Sequence, residues 1–268
     1  MAGVRWRSRE VPGAGEPVVF VHGLLASSAT WDGVLAPASA GRPAIAVDLP
    51  GFGCSERPWP YDYSVGGEVR SLVGFLDARG IGRAILVGNS LGGATAMLLA
   101  ADHPERVAAL VLVAPATPEA RIGWPVRLMQ ARGLGEAALA SANRPLVAYG
   151  LRRWLFACPE RVTAHAIDDA WLPLTIPGTN RAALRAVRSD RRRYLGLEAR
   201  VRVPTLIVWG REDRVIPVGE SERLRSRIAG SRLVVLPDSG HLPQREQPEA
   251  FARVVAEFVS ALTSRSAR

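Results

Sequence analysis

Short apolar runs that alternate with helical patterns constrain this chain more than any other feature of its sequence. Six such runs stand at residues 18–21, 44–47, 84–87, 107–113, 205–209 and 232–236. They are too short and too uniformly apolar for surface helices, and they are typical of parallel strands buried on both faces. Helical patterns lie between them, at about 63–79, 90–103, 221–228 and 248–262. The sequence therefore predicts an α/β fold with a mostly parallel, doubly wound sheet.

One long segment interrupts this alternation. Residues 118–198 contain no clean strand, only helical pieces separated by Gly and Pro, and they lie between two strong strands. We interpret the segment as a helical cap inserted into a core formed by residues 1–117 and 199–268. It holds three of the seven tryptophans, Trp124, Trp154 and Trp171. Because a cap covers the substrate pocket, we expect these three side chains to line it.

Composition excludes several classes of protein. Of the 268 residues, 48% are hydrophobic and 22% are charged, which is ordinary for a globular chain and excludes intrinsic disorder. Two cysteines, Cys54 and Cys158, are too few for a disulfide framework or a four-ligand zinc site. No secretory signal is visible, and no apolar stretch reaches the roughly 20 residues of a membrane span. We therefore expect a cytoplasmic protein without a membrane span.

The net charge of +9 comes entirely from arginine, because the chain has no lysine. Exclusive use of arginine indicates the codon bias of a GC-rich genome, and no nucleic-acid-binding motif accompanies it, so we expect no nucleic-acid partner. The cap segment carries 13 arginines and seven acidic residues, an excess that suits an anionic substrate. We favour solvated helix faces, since neighbours such as Arg152 and Arg153, or residues 191–193, cannot all face one pocket.

The sharpest motif is Gly-Asn-Ser-Leu-Gly-Gly at residues 88–93, which fits the pattern G-x-S-x-G. It directly follows the predicted strand at 84–87 and precedes an apolar helix, the context of a nucleophile elbow. Small flanking residues allow a strained turn, and the hydroxyl then projects over a helix N-terminus that favours developing negative charge. We predict Ser90 as a catalytic nucleophile.

A serine needs a base, and four histidines are available. His103 ends a helix, His165 lies in the cap segment, and His22 follows the first apolar run. His241 comes after Ser90 in the chain and just beyond the last predicted strand, as the order serine, acid, histidine requires. We predict His241 as the base.

The acid that orients this histidine should lie between the two. Asp213 stands in a loop after the strand at 205–209, at the same edge of the sheet, and it would hold His241 in the correct tautomer. Asp238 is a competitor, but it is only three residues from His241 on the same short loop. Glu212 is a weaker one. We predict Asp213.

Backbone N–H groups form the oxyanion hole of such a site. We expect one from Leu91, the residue after the nucleophile, and one from Leu24 in the loop after the first apolar run, with Leu25 as second choice. His22 would brace that loop. Three more side chains complete the predicted pocket by position: Leu25, Asn89 and Leu242. The arrangement needs neither a metal nor a cofactor.

Five motifs in order resemble the α/β-hydrolase superfamily. They are His22-Gly23, the stretches 48–55, 88–93 and 210–217, and Gly240-His241, and the resemblance runs from about residue 18 to 258 without the cap segment. It implies a mainly parallel sheet with a helical cap after the sixth strand. It also implies that Asp48 belongs to a structural loop near the site.

The resemblance leaves the reaction open, because this fold hosts many. Epoxide hydrolases and haloalkane dehalogenases of the superfamily carry an aspartate at the position of Ser90, and hydroxynitrile lyases rely on a lysine. The main prediction is therefore a serine hydrolase that cleaves a small-to-medium carboxylic ester with water through an acyl-enzyme.

Two alternatives stand beside the ester prediction. The elbow is similar to that of carbon–carbon bond hydrolases acting on ring-fission products of aromatics. Those enzymes usually have a longer Ser/Gly-rich oxyanion loop and a Trp after the catalytic histidine, where this chain has Leu24-Leu25-Ala26 and Leu242. The second alternative is a non-catalytic binding protein on the same fold.

Overall fold

The computed structural model describes residues 4–266, and its centre is one seven-stranded sheet. The strands are β1 Ser8–Val11, β2 Val18–Val21, β3 Ala44–Val47, β4 Ala84–Asn89, β5 Val107–Val113, β6 Thr205–Gly210 and β7 Arg232–Leu236. They lie in the order β1-β3-β2-β4-β5-β6-β7, with β1 antiparallel to β3 and every other neighbouring pair parallel. The predicted fold class is confirmed.

Strand β1 is the one described strand that the apolar runs do not predict. It lies at the edge of the sheet, and its four residues are partly or fully exposed. An edge strand that is not buried on both faces has no need of a continuous apolar run. The sequence signal on which the other six strands rest is therefore missing there.

Helices cover both faces of the sheet. In the core they are α1 Leu35–Ala38, α2 Val65–Ala78, α3 Leu91–Asp102, α9 Gly219–Arg227, α10 Pro243–Glu246 and α11 Pro248–Ser266. Val19 and Val21 of β2 pack toward α2 and α3, whereas Val18 and Phe20 pack toward α1 and α11. Successive strand residues thus bury opposite faces, which is why the runs are continuously apolar.

The cap segment, residues 118–198, contains helices and no strand. Their α-helices are α4 Trp124–Gln130, α5 Leu134–Ala140, α6 Arg144–Gly150, α7 Ala164–Trp171 and α8 Thr179–Val187, joined by short 3₁₀ and π turns. The segment follows β5, so it is inserted after the fifth described strand rather than the sixth. The resemblance implies a cap after the sixth strand, and the structure corrects this count to the fifth. The reason is that a single antiparallel strand, β1, precedes the first parallel strand, β2.

A small apolar cluster within the cap segment includes Leu151, Phe156 and Ile167. Within residues 4–266, no helix has the length and apolar character needed to cross a membrane.

Candidate active site

Ser90 occupies a strained turn between β4 and α3. Its backbone angles, φ 54° and ψ −113°, lie in a region that residues other than glycine rarely adopt. A Cβ atom on Gly88 would lie 2.4 Å from the carbonyl oxygen of Gly92, and one on Gly92 would lie 2.2 Å from that of Val21. The glycines of the motif are therefore required by close backbone approach, and they hold the serine at the carboxyl end of β4.

His241 and Asp213 meet at the same edge of the sheet, from the loops that follow β7 and β6. The Nδ1 atom of His241 lies 2.7 Å from Oδ2 of Asp213, and both side chains are buried. The other carboxylate oxygen, Oδ1, accepts the backbone N–H groups of Val215 at 2.8 Å and Ile216 at 2.9 Å. These bonds fix the carboxylate and leave Nε2 of His241 available to a nucleophile.

The two competing acids do not bind this ring. Asp238 is exposed, and the carboxylate of Glu212 accepts the backbone N–H of Ser239 at 3.0 Å. Ser90 and His241 line one cavity, although no hydrogen bond joins the hydroxyl to the ring among the described residues. Catalytic hydrogen bonds in free enzymes are often long and tighten when substrate binds. The arrangement can therefore serve nucleophilic catalysis.

His22 has a structural environment. It is fully buried, its Nδ1–H donates to the carbonyl oxygen of Gly23 at 2.7 Å, and its Nε2 accepts the N–H of Leu49 at 3.0 Å. Burial lowers the pKa of His22, so the ring is neutral. The ring joins the loop after β2 to the loop after β3, a bracing contact as predicted.

Asp48 belongs to the same structural framework. Its two carboxylate oxygens accept the backbone N–H groups of Ser28 at 2.5 Å and Cys54 at 2.7 Å. Both oxygens are thus used to hold loops beside the site, as the resemblance implies.

The loop after β2 packs directly against the elbow. A Cβ atom on Gly23 would lie 3.2 Å from Cβ of Ser90, and the next residue, Leu24, lines a cavity together with Ser90 and Leu91. Because Leu91 is the first residue of α3, its N–H lies among those that a helix leaves without an intrahelical partner. The amides of Leu24 and Leu91 stay our prediction for the oxyanion hole.

Two cavities meet at Ser90, between the sheet edge and the cap segment. The larger has a volume of about 300 Å³ and the smaller about 70 Å³, and Leu24, Ser90, Val126 and Val215 contribute to both. The larger cavity is mainly apolar and also contains His241. Four of the predicted pocket residues line it: Leu25, Asn89, Trp154 and Leu242.

The other two predicted pocket residues lie outside both linings. Trp124 is 54% exposed and sets its ring edge-on to Trp154 at 5.4 Å between centroids. Trp171 ends α7, a helix that turns Ala166, Asp169 and Ala170 toward the larger cavity. Residues three and four apart share a helix face, so the neighbouring Trp171 points elsewhere. The structure corrects the predicted pocket at these two positions.

Arg191 lies at the candidate site, although no sequence pattern predicts it there. It lines the smaller cavity beside Ser90, and its guanidinium donates to the carbonyl oxygen of Thr117. Burial lowers the pKa of Arg191, and among the described residues no carboxylate pairs with it. Arg192 and Arg193 are exposed. The expectation of solvated helix faces therefore holds for these two arginines and not for Arg191. A run of identical side chains carries no pattern that singles out the inward one.

One group of side chains could in principle hold a metal ion. Ligand atoms of Asp32, His165 and Asp169 lie within 4.8 Å of one another. However, Asp169 is paired with Arg245 at 3.0 Å and Asp32 with Arg9 at 3.3 Å. Guanidinium groups already neutralise these carboxylates and oppose a cation.

Comparison with known proteins shows the family. The model of the alpha/beta hydrolase fold matches residues 16–248. The chain is 34% identical to the 2-hydroxy-6-oxo-2,4-heptadienoate hydrolase of Pseudomonas putida, over 93% of this chain and 91% of that protein. It is 33% identical to the 2-hydroxymuconate semialdehyde hydrolase of Pseudomonas sp. strain CF600, over 97% and 92% of the two chains.

A solved structure agrees with these relatives. The meta-cleavage product hydrolase of Pseudomonas fluorescens IP01 superposes with a TM-score of 0.83 at 27% identity, covering 97% of this chain and 96% of that one. The protein belongs to the alpha/beta hydrolase family and is a hydrolase.

Proposed function

We propose that the protein is a carbon–carbon bond hydrolase acting on a ring-fission product of an aromatic compound. Such a substrate carries a carboxylate at one end and a ketone further along an unsaturated chain. The observation that carries the proposal is Arg191, a partly buried guanidinium that lines the small cavity beside Ser90 and has no carboxylate partner among the described residues. This guanidinium donates to the backbone carbonyl oxygens of Ala116 and Thr117, which leave its charge uncompensated, and a bound carboxylate would supply the counter-charge. A simple neutral ester would leave it without a counter-charge.

The relatives support the same choice over the ester prediction. Two of them are named for substrates that contain a carboxylate and a carbonyl group on an unsaturated chain. This chain departs from the usual pattern of carbon–carbon bond hydrolases at Leu24, Leu25 and Leu242, and these three side chains line the larger cavity. Ester hydrolysis would then be a side activity, because the same nucleophile attacks activated esters.

The two cavities fit the two ends of such a substrate. The carboxylate would lie in the smaller cavity against Arg191, and the ketone carbon would lie at Ser90, where the cavities meet. The group beyond the ketone would occupy the larger, mainly apolar cavity. In this orientation the bond to be broken lies next to Ser90 and His241.

The chemistry follows from the need for a leaving carbon. In the dienol form, that carbon is part of a double bond. The proton of the enol hydroxyl must first move to this carbon, which becomes a methylene group while the enol becomes a ketone next to the carboxylate. Ser90, with His241 taking its proton, then adds to the ketone, and the amides of Leu24 and Leu91 stabilise the oxyanion. When the carbon–carbon bond breaks, its electron pair spreads through the adjacent double bond to the oxygen on the carbon next to the carboxylate. The leaving group takes the proton from His241, so the ring is neutral again. Water, activated by His241, releases the acyl group from Ser90.

A matched pair of variants tests the role of Arg191. Wild type, Arg191→Ala and Arg192→Ala are assayed with 2-hydroxy-6-oxo-2,4-heptadienoate, its neutral methyl ester and p-nitrophenyl acetate. We expect Arg191→Ala to lower kcat/KM for the carboxylate substrate about 100-fold or more, the size of a lost charge-assisted contact, and to affect the two neutral substrates little. Arg192→Ala, on the exposed neighbour, should match wild type.

Two results would overturn the proposal. One is wild-type hydrolysis of p-nitrophenyl esters together with no detectable cleavage of the dienoate, which would restore the ester prediction. The other is an equal loss on all three substrates in Arg191→Ala, which would mean that Arg191 only supports the fold of the loop at Thr117.

A further inference from the structure

Glu246 is a buried carboxylate between the loop of the predicted base and the cap segment. It lies at the end of α10, five residues after His241, and is 5% exposed. Its Oε1 accepts the backbone N–H of Gly240 at 2.5 Å. Its Oε2 accepts the N–H groups of Ala157 at 2.7 Å and Cys158 at 3.3 Å. One side chain therefore joins the residue before His241 to two consecutive residues of the cap segment.

Backbone contacts reinforce the same junction. The N–H of His241 donates to the carbonyl oxygen of Leu155 at 2.8 Å, and a Cβ atom on Gly240 would lie 2.5 Å from that oxygen. On the opposite side, the amide of Asn89 donates to the carbonyl oxygen of His241 at 3.2 Å. The backbone of His241 is thus held by the elbow on one side and by residues 155–158 on the other.

The two ends of the junction use different oxygens of Glu246. A carboxylate supplies two acceptor oxygens, whereas the amide of glutamine supplies one oxygen and an NH₂ group that would face an N–H donor. Burial raises the pKa of Glu246, and the three donated N–H groups oppose that shift by favouring the charged form. A neutral isostere would hold either the histidine loop or the cap segment, and not both.

We propose that Glu246 is a positioning residue that makes the placement of His241 depend on the docking of residues 155–158. When the cap segment is seated, Glu246 and Leu155 hold the histidine loop so that the ring faces Ser90. When it is displaced, the loop loses the contacts to Leu155, Ala157 and Cys158. The proposal rests on the catalytic role of Ser90, His241 and Asp213 in the proposed function.

The test compares Glu246→Gln with Glu249→Gln, an exposed acidic residue at the start of α11. The first measurement is the rate at which a fluorophosphonate labels Ser90, which needs the base but no particular substrate. We expect a loss of about 10- to 100-fold in this rate and in kcat for p-nitrophenyl acetate, with KM nearly unchanged, the effect of a small misplacement of a catalytic group. Glu249→Gln should behave as wild type.

Hydrogen exchange separates positioning from general stability. In Glu246→Gln, peptides that contain residues 155–158 and 240–241 should exchange faster together, while the strands of the sheet stay protected. Gly240→Ala is a second variant, which keeps the carboxylate of Glu246 but places a Cβ atom 2.5 Å from the carbonyl oxygen of Leu155 and 3.0 Å from Oε1 of Glu246. It should slow labelling in the same way.

The proposal is overturned if Glu246→Gln and Gly240→Ala fold and label at the wild-type rate, or if Glu246→Gln only lowers Tm and speeds exchange everywhere. Ser90→Ala distinguishes this from a failure of the proposed function. If that variant is still labelled, Ser90 is not the nucleophile. If labelling requires Ser90 and the two positioning variants change nothing, only the positioning role is wrong.

Discussion

Asp213 holds His241 through one carboxylate oxygen, at 2.7 Å from Nδ1, while its other oxygen is held by two backbone N–H groups. The carboxylate therefore cannot turn away from the ring without breaking bonds to its own loop. This relationship requires the Nδ1–H tautomer of His241 and leaves Nε2 as the basic nitrogen. Asp213 and His241 lie beyond the ends of two neighbouring parallel strands, β6 and β7.

Replacing Asp213 by Asn should lower kcat about 1,000- to 10,000-fold, because the amide stabilises the wrong tautomer of the histidine and gives the imidazolium no counter-charge. The measurement is steady-state hydrolysis of p-nitrophenyl acetate and of the dienoate. Asp238→Asn is the control, since asparagine tolerates the positive φ of 51° at that position. A larger loss in Asp238→Asn than in Asp213→Asn would assign the acid to Asp238.

A fluorophosphonate should label the wild-type protein at Ser90 and leave Ser90→Ala unlabelled. Hydrolytic activity of this variant should fall by several orders of magnitude. The small residual activity would come from the oxyanion hole and from substrate binding. Mass spectrometry of the labelled peptide identifies the modified residue. Labelling at another serine in the variant would contradict the elbow as the site of the nucleophile.

Replacing Trp154 by Ala should change the preference among substrates that differ in the group beyond the ketone, or among p-nitrophenyl esters of different chain length. The side chain lines the larger cavity, so its removal opens space and loses apolar contact, worth roughly 1–3 kcal/mol per methylene-scale mismatch. Trp171→Ala, outside both cavities, should leave selectivity unchanged. Equal shifts in both variants would mean that the cap segment acts through its own packing.

Folding stability should fall with rising pH because of Glu68, a fully buried residue of α2. Among the described residues, neither of its carboxyl oxygens has a hydrogen-bond partner. Burial raises its pKa well above the ordinary 4.5. Below pH 4.5 the carboxyl group of Glu68 is protonated in both the folded and the unfolded state. As pH rises toward the folded pKa, the unfolded chain releases this proton first, which costs up to about 1.4 kcal/mol per pH unit.

Glu68→Gln removes this titration with little change of shape. Its free energy of unfolding, measured by urea titration from pH 4 to pH 8, should rise relative to wild type as pH increases. Near the acid end the difference between the two proteins should be smallest. Glu249→Gln, at an exposed position, should show no such trend. A difference that does not depend on pH would mean that Glu68 is not neutral in the folded protein.

Local sequence patterns predicted six of the seven strands and the loops that carry Ser90, Asp213 and His241. The reason is that burial on both faces demands continuous apolar runs, and a turn from strand to helix demands small residues at fixed spacing. Strand β1 was not predicted, because it is a partly exposed edge strand without a continuous apolar run. The pocket was predicted less well, since composition cannot tell Trp154, which lines it, from Trp124 and Trp171, which do not.

The sequence by itself determined the doubly wound sheet, the helical segment inserted after β5, and the loops that carry Ser90, Asp213 and His241, because each is encoded in neighbouring residues. Only the tertiary structure decided that Arg191 turns inward while Arg192 and Arg193 stay in solvent, and that Glu246 joins the histidine loop to residues 155–158. Those contacts link positions as much as 89 residues apart in the chain. Their formation depends on how the cap segment packs against the sheet edge, which no local pattern records.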